Sequence, residues 1–370
     1  MTGFTRKRGR TWTAYWSSTD PGTGGRRQHT KGGFATRREA EEHLGRIIGA
    51  VQDGSWRPDR ALTVRQLLDE HWLPAQRSRG LRATTLAQYG HVTASWLNPH
   101  LGAVKVAALT PAHVQHLSDE LERLSPRSRQ LAVGTLKSAC AWAVSNGLIR
   151  RNPVAGVRRP RVEQTQVQPW TAEEARRFLT ATAADRLGFA WALLLTRGLR
   201  RGELCGLRWS DVDLDGGTLH VTRARVVVDG QTVDSAPKTR AGRRMIPLDQ
   251  HLVALLRTHK ARQAAERLAA GPAYADGGWL LADHLGQPVH PETVSSLLER
   301  AIAGAGLRRI RLHDLRHTAA SLMLADGVPV KVVADLLGHA SPTVTLSVYA
   351  HVLPGMAEQA GEALSGALLG

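Results

Sequence analysis

Cysteine is nearly missing from this chain of 370 residues: Cys140 and Cys205 are the whole supply. Both sit in apolar, helix-like contexts, so the expectation is two reduced core thiols, with no disulfide framework and no zinc ribbon. Aromatic residues make up only 5%, with four tyrosines and four phenylalanines. No run approaches the ~20 apolar residues of a membrane span. The basic start Arg6-Lys7-Arg8-Gly9-Arg10 has no apolar segment behind it to act as a signal peptide, so residence in the cytoplasm is expected, without membrane. Acidic charge is short too, with 49 Lys+Arg against 32 Asp+Glu and a formal charge of +17. A polyanionic partner explains such an excess better than a surface kept basic for solubility. Residues 1–60 carry 12 basic and 6 acidic side chains, residues 61–163 carry 14 and 6, and residues 164–370 carry 23 and 20. The surplus therefore belongs to the first 163 residues, as it would if they gripped phosphates while the rest used a few selected cations.

The pattern of breakers and caps predicts a multi-domain, mainly α chain with small β-sheets. Trp12, Tyr15 and Trp16 precede the turn-rich Asp20-Pro-Gly-Thr-Gly-Gly25, which suggests a small antiparallel sheet. A helix follows from the capping box Thr36-Arg-Arg-Glu39, with Leu44, Ile47, Ile48 and Val51 at helical spacing. Residues 1–58 are thus expected as one small domain. A helical bundle is expected over 61–150, opening at Thr63-Val-Arg-Gln66, with later helices around Thr84 to Leu97, from Thr110-Pro111 to Leu124 and from Ser128 to Ser145. A basic linker rich in Pro and Gly occupies 151–168. Residues 169–354 read as a mixed α+β domain starting at the capping box Thr171-Ala-Glu-Glu174, with Val212 to Pro247 as a three-stranded sheet turning at Asp215-Gly-Gly217 and Asp229-Gly230. In the tail, 355–370, Met356, Ala360, Leu364 and Leu368 suggest a weak amphipathic helix.

Four short segments carry the chemistry: Gly198-Leu-Arg-Arg-Gly-Glu203, Pro237-Lys-Thr-Arg240, His313-Asp-Leu-Arg-His317 and Leu337-Gly-His339, the last followed ten positions on by Tyr349. Taken in order they resemble the tyrosine recombinase, or phage integrase, family of site-specific recombinases. The resemblance maps Arg200 and Arg316 onto the two catalytic arginines, His313 and His339 onto the two box residues, Lys238 onto the hairpin lysine and Tyr349 onto the nucleophile. It implies an arm-type DNA-binding domain at 1–58, a helical core-binding (SAM-like) domain at 61–150 and the catalytic domain at 169–354. It further implies double-stranded DNA with core-type and arm-type sites as substrate, a tetramer on DNA, an association with the nucleoid, and no cofactor or metal. An excisionase and a host DNA-bending protein are the accessory partners it allows.

The residue types suit that reaction in their own right. Attack on a phosphodiester builds negative charge on non-bridging oxygens, which the planar guanidinium fork matches bidentately without ever losing its proton. A phenol with a pKa near 10 needs a cationic surround or a base, which the arginines and His313 supply. The alkoxide leaving group needs a proton, and a lysine beside cations can have its pKa lowered toward general-acid work, the role assigned to Lys238. His313 and Arg316 are three apart and share a helix face, and Ser341-Pro342 starts a new helix that carries Tyr349. Glu203 reads as an orienting partner for an arginine or as a cap, and His317 and His351 as packed or solvated. Tyr15, Tyr89 and Tyr274 lack the surrounding pattern. A slipped register onto Arg197 or Arg201 stays open, as does metal chemistry at His313 and His317, although Arg316 on the same face would oppose a dication. Two other classes compete: a type IB topoisomerase or resolvase using the same chemistry, and a DNA-binding regulator without catalysis.

Overall fold

In the computed structural model the described residues are 3–19, 25–52, 62–158, 160–161, 168–236, 242–339, 341–349, 365–366 and 368–369. The chain separates into two units, Met1–Glu163 and Gln164–Gly370. The first begins with an antiparallel sheet of β1 (Phe4–Arg8), β2 (Thr11–Thr19) and β3 (Arg26–Phe34), in the order β1-β2-β3. The sequence gives no sign of strand β1, because it is an edge strand in which Arg6, Lys7 and Arg8 are all exposed and no apolar alternation marks it. It pairs Phe4 with Tyr15, whose rings stack at 4.8 Å. Helix α1 (Arg37–Gln52) covers one face and packs Leu44 against Ala14 and Trp16. Thr36 caps it, its Oγ1 accepting from the Glu39 amide at 3.2 Å, while the Glu39 carboxylate accepts from the Ala35 amide.

Further along the first unit come α2 (Val64–Gln66), a π-helical turn at Leu67–Trp72, α3 (Leu73–Ser78), α4 (Ala83–Val92), a second π-helical turn at Thr93–Leu97, α5 (Asn98–Leu101), α6 (Pro111–Glu120) and α7 (Pro126–Ser145). The anticipated capping box Thr63/Gln66 is present. Helix α7 starts two residues before the expected Ser128, because Ser125 caps it and Pro126 takes its first position, the same Ser/Thr-Pro device that opens α6. Buried Leu67, Leu68, Trp72, Leu97, Leu117 and Leu136 form one core, and Cys140 belongs to it, its thiol pushed up to about 12 by burial.

The second unit contains α8 (Ala172–Ala181), α9 (Gly188–Arg197), α10 (Arg201–Gly206), β4 (Val212–Asp213), β5 (Thr218–Val221), β6 (Ala224–Val228), β7 (Gln231–Ser235), β8 (Arg244–Pro247), α11 (Gln250–Ala270), α12 (Pro291–Gly304), α13 (Leu312–Ala325), α14 (Val330–Leu337) and α15 (Pro342–Tyr349). The capping box Thr171/Glu174 forms as expected. The stretch from Val212 to Pro247 differs from the single three-stranded sheet read in the sequence: β4-β5-β8 make one sheet, and β6-β7 form a separate hairpin. Strand β8 takes the second edge of β5, pairing Val221 with Arg244, so neither edge of β5 is left for β6. The hairpin turns where expected, at Asp229 and Gly230, both with positive φ. The apolar α9 is buried along most of its length and, with Trp170, Phe178, Leu204, Leu256, Leu298 and Leu315, centres the largest core, which also holds Cys205. Among the described residues no helix is long and apolar enough to cross a membrane.

Candidate active site

Two helix ends build the site. Helix α9 stops at Gly198 (φ 59°) and α14 at Gly338 (φ 66°), both left-handed caps that leave carbonyls pointing out of the helix. A side chain at Gly198 would be strained by that φ and would strike Leu337 besides. Into this corner α13 sends Arg316, which is 3% exposed. Its Nη1 donates to the Gly198 carbonyl and its Nη2 to the Leu337 carbonyl, each at 2.6 Å. A guanidinium so withdrawn from water is tolerable because helix carbonyl ends carry partial negative charge.

Arg200 lies two residues beyond Gly198, at the amino-terminal cap of α10. Its Nη1 donates to Glu203 Oε1 at 2.6 Å and its Nη2 to the Gly338 carbonyl at 3.1 Å, while its backbone N–H reaches Glu203 Oε2 at 2.9 Å. Glu203 therefore does both things the sequence allowed, capping the helix and orienting an arginine. Arg197 and Arg201 go elsewhere: Arg197 pairs with Asp249, and Arg201 donates to Ser295 Oγ at 3.1 Å. Both catalytic-arginine candidates are thus anchored on consecutive carbonyls, Leu337 and Gly338, just before His339.

Sequence reasoning missed Arg244. Its Nε donates to the Leu336 carbonyl at 2.7 Å, and its Nη1 and Nη2 reach Glu203 Oε1 and Oε2 at 3.1 and 3.0 Å. A signal existed, since β8 alternates and Arg244 falls on the inward side with buried Ile246, while Met245 between them is 57% exposed. An inward arginine demands a carboxylate. Burial pushes the Glu203 carboxyl up, but Arg244 and then Arg200 outweigh it and hold the group below the usual carboxylate range.

His339 follows Gly338, with its ring Nδ1 2.8 Å from Thr345 Oγ1 on α15. Thr345, fully buried, is the second contact the sequence did not reveal. Burial first, then Arg316, Arg200 and Arg244, lower the His339 pKa to about 4. His313 keeps an exposed edge on α13, and its ring meets that of His317 edge-on at 4.9 Å. Desolvation by the surrounding protein, then His317 and Arg316, bring it to about 4 as well, so both imidazoles are neutral near pH 7. His313 and Arg200 line one cavity of about 410 Å³ with Arg201, Ser295 and Arg311. Tyr349 closes α15, four residues beyond Thr345. Lys238 and His351 lie outside the described residues, as does most of the tail from 355. Among the described residues no cluster of His, Cys, Asp or Glu is placed to hold a metal ion.

Comparison with known proteins gives this geometry its context. The phage integrase family matches residues 170–355, an arm DNA-binding domain matches 4–51, and the amino-terminal SAM-like domain of phage integrases matches 63–121. The chain is 26% identical to a XerC-like tyrosine recombinase of Caldanaerobacter subterraneus, over 89% of this chain and 90% of the relative. It is 24% identical to the ICEBs1 integrase of Bacillus subtilis over 93% and 94% of the two chains. Among solved structures, the Tn1549 transposon integrase in complex with a circular intermediate DNA shares the fold, with a TM-score of 0.69 at 22% identity, covering 82% of this chain and all but 1% of that one, at 99%. The lambda integrase tetramer bound to a Holliday junction gives 0.58 at 23% identity, over 90% and 92%. Matched along half its length by one family and ahead of that by the two DNA-binding modules, the chain belongs to the phage integrase family and is a site-specific tyrosine recombinase, a DNA strand-transferring enzyme.

Proposed function

We propose that Arg200 and Arg316 clamp the scissile phosphate, that His313 and His339 complete its cradle, and that Tyr349 attacks it. The Tyr349 Oη forms a bond to phosphorus as the P–O5′ bond breaks, leaving a 3′-phosphotyrosyl link; neutral His313 accepts the phenolic proton, and Lys238 gives a proton to the departing 5′ oxygen. A 5′-hydroxyl from a second duplex then reverses the step. The bond energy is held in the covalent link, so neither nucleotide nor metal enters the scheme. The observation that carries this reading is the convergence of Arg200 and Arg316 on adjoining carbonyls of α14, beside His339 and with His313 on the helix of Arg316. Two positioned forks at one phosphate supply the electrostatic stabilisation that dominates such reactions.

The domain assignment supports a division of labour, with 1–58 for arm-type sites, 61–150 for core-type sites, 151–168 as linker, 169–354 for catalysis and 355–370 as tail. In this reading the protein works in the cytoplasm at the nucleoid, as a tetramer on DNA that integrates or excises a mobile element, with an excisionase and a host bending protein as helpers. The test mixes purified protein with fragments of the DNA flanking its own gene, in EDTA, and looks for an SDS-resistant adduct. The expected result is an adduct mapped to Tyr349 and absent from Tyr349→Phe. Tight binding without an adduct would favour a regulator, and nicking without exchange between duplexes a topoisomerase.

A further inference from the structure

We propose that Arg244 is a positioning residue for DNA cleavage: by sharing the Glu203 carboxylate, it keeps that carboxylate from neutralising Arg200. The inference rests on the reading of Arg200 as a phosphate ligand.

Three consecutive carbonyls at the end of α14 each receive a different arginine: Leu336 takes Arg244, Leu337 takes Arg316 and Gly338 takes Arg200. Between Arg200 and Arg244 lies one carboxylate, Glu203, with its side chain 4% exposed. Oε1 accepts from Arg200 Nη1 and Arg244 Nη1, and Oε2 from the Arg200 backbone N–H and Arg244 Nη2, so each oxygen holds two donors. Two guanidiniums and one carboxylate leave a net positive charge. Arg244 itself is 7% exposed at its side chain and lines no part of the cavity where Arg200 and His313 meet, whereas the Arg200 side chain is 39% exposed. What separates Arg244 from Arg316, which is buried as well, is the carboxylate: both Nη atoms of Arg244 are spent on Glu203, whereas Arg316 donates to uncharged carbonyls and keeps its charge for a phosphate.

Remove Arg244 and the charge count changes. Glu203 would then answer to Arg200 alone, and a one-to-one ion pair has no net charge left to offer a phosphate. The Leu336 carbonyl would lose its donor as well, loosening the turn from which His339 departs. Lysine at this position restores charge but not the fork that spans both carboxylate oxygens and a carbonyl.

The experiment uses the full-length protein and the flanking fragment that gives the adduct, measuring the single-turnover rate of adduct formation at saturating DNA and, separately, Kd. Arg244→Met should slow the rate by about 100-fold, as expected for crippling one positioned donor, with Kd within about three-fold of wild type. Arg244→Lys should retain more activity than Arg244→Met. The decisive variant is Glu203→Gln combined with Arg244→Met: removing the unshared negative charge should make it about ten-fold faster than Arg244→Met alone, a non-additive recovery that a purely structural role would not give. Should Arg244→Met lose its cooperative melt, Arg244→Gln, which keeps a donor for Leu336 and drops the charge, goes through the same comparison. An Arg244 variant as fast as wild type, or a double variant no faster than its parent, overturns the proposal. Tyr349→Phe and Arg200→Ala run alongside: an adduct in Tyr349→Phe, or a wild-type rate of adduct formation in Arg200→Ala, would defeat the site assignment instead.

Discussion

Arginine does two different jobs in the two units of this molecule. In the first, Arg37 and Arg38 stay at the surface: they make helix ion pairs with Glu41 and Glu42, with their own side chains 67% and 88% exposed. In the second, Arg316 and Arg244 are buried and tied to carbonyls and to Glu203. The first arrangement suits a long polyanion met along its length, because exposed cations bind by displacing counterions and need no fixed geometry. The second suits one phosphate at one point, where a preorganised fork is worth far more than a mobile charge. Net charge reports the first kind and is blind to the second, since residues 164–370, with 23 basic and 20 acidic side chains, hold the site.

The largest effect expected from breaking this contrast is at Arg316. Arg316→Ala should lower the rate of adduct formation by at least about 10²- to 10³-fold. It should also destabilise the fold, because the Gly198 and Leu337 carbonyls lose a donor at about 1–3 kcal/mol each. Single-turnover cleavage together with denaturant melts checks both. The second effect lies in the first unit: Arg6→Ala with Arg8→Ala, two exposed cations of β1, should reduce the salt slope of DNA affinity by about 2 while leaving the cleavage rate at saturating DNA unchanged. A slower rate at saturation would mean that the first unit shapes the active site and that the two jobs are not separable.

Much of this was legible in the chain. The capping boxes at Thr63 and Thr171 and the Pro-led start of α6 are local signals, and they marked helices correctly. The ordered pattern around Arg200, His313, Arg316 and His339 pointed to one place, and the structure brings those four side chains to one corner. Three features were hidden, each for a non-local reason. Strand β1 carries charges on an exposed edge, where no hydrophobic alternation is required. The split of β4-β5-β8 from β6-β7 depends on which strand reaches the free edge of β5, a question of pairing over more than twenty residues. The inward side of β8 flags Arg244 as needing a partner, but that α14 ends beside it is not legible, since a helix end meeting a strand from about ninety residues away leaves no motif.

Acidification sharpens the contrast from another side. The His339 pKa is lowered to about 4 by burial and by Arg316, Arg200 and Arg244, while an unfolded histidine titrates near 6.5. Between these values the unfolded chain binds the proton and the folded one does not, so stability falls as pH drops from about 6.5 toward 4. His313 and His259, each also lowered to about 4, add to the same slope, so the informative quantity is a difference. His339→Gln should lose roughly 1 kcal/mol less than wild type between pH 7 and pH 5, after discounting for partial solvent access, as read from denaturant melts at the two pH values. Equal losses would mean that the arginine corner is screened more than its burial implies.

The smallest effect belongs to Arg37, and its smallness is the point. Its side chain makes a 2.7 Å ion pair with Glu41 and lies over the Trp12 ring at 5.8 Å, so a simple inventory of contacts credits it with both an ion pair and a ring contact. With 67% of the side chain in water, both interactions are screened, and ordering two long side chains offsets what is left. Arg37→Ala should therefore change stability by less than about 0.5 kcal/mol, and raising salt should shrink even that. A loss comparable to that of Arg316→Ala would show that burial is not what separates the two kinds of arginine; the α1–β2 contact would then have to be treated as a packed interface, with the aliphatic stem of Arg37 covering Trp12.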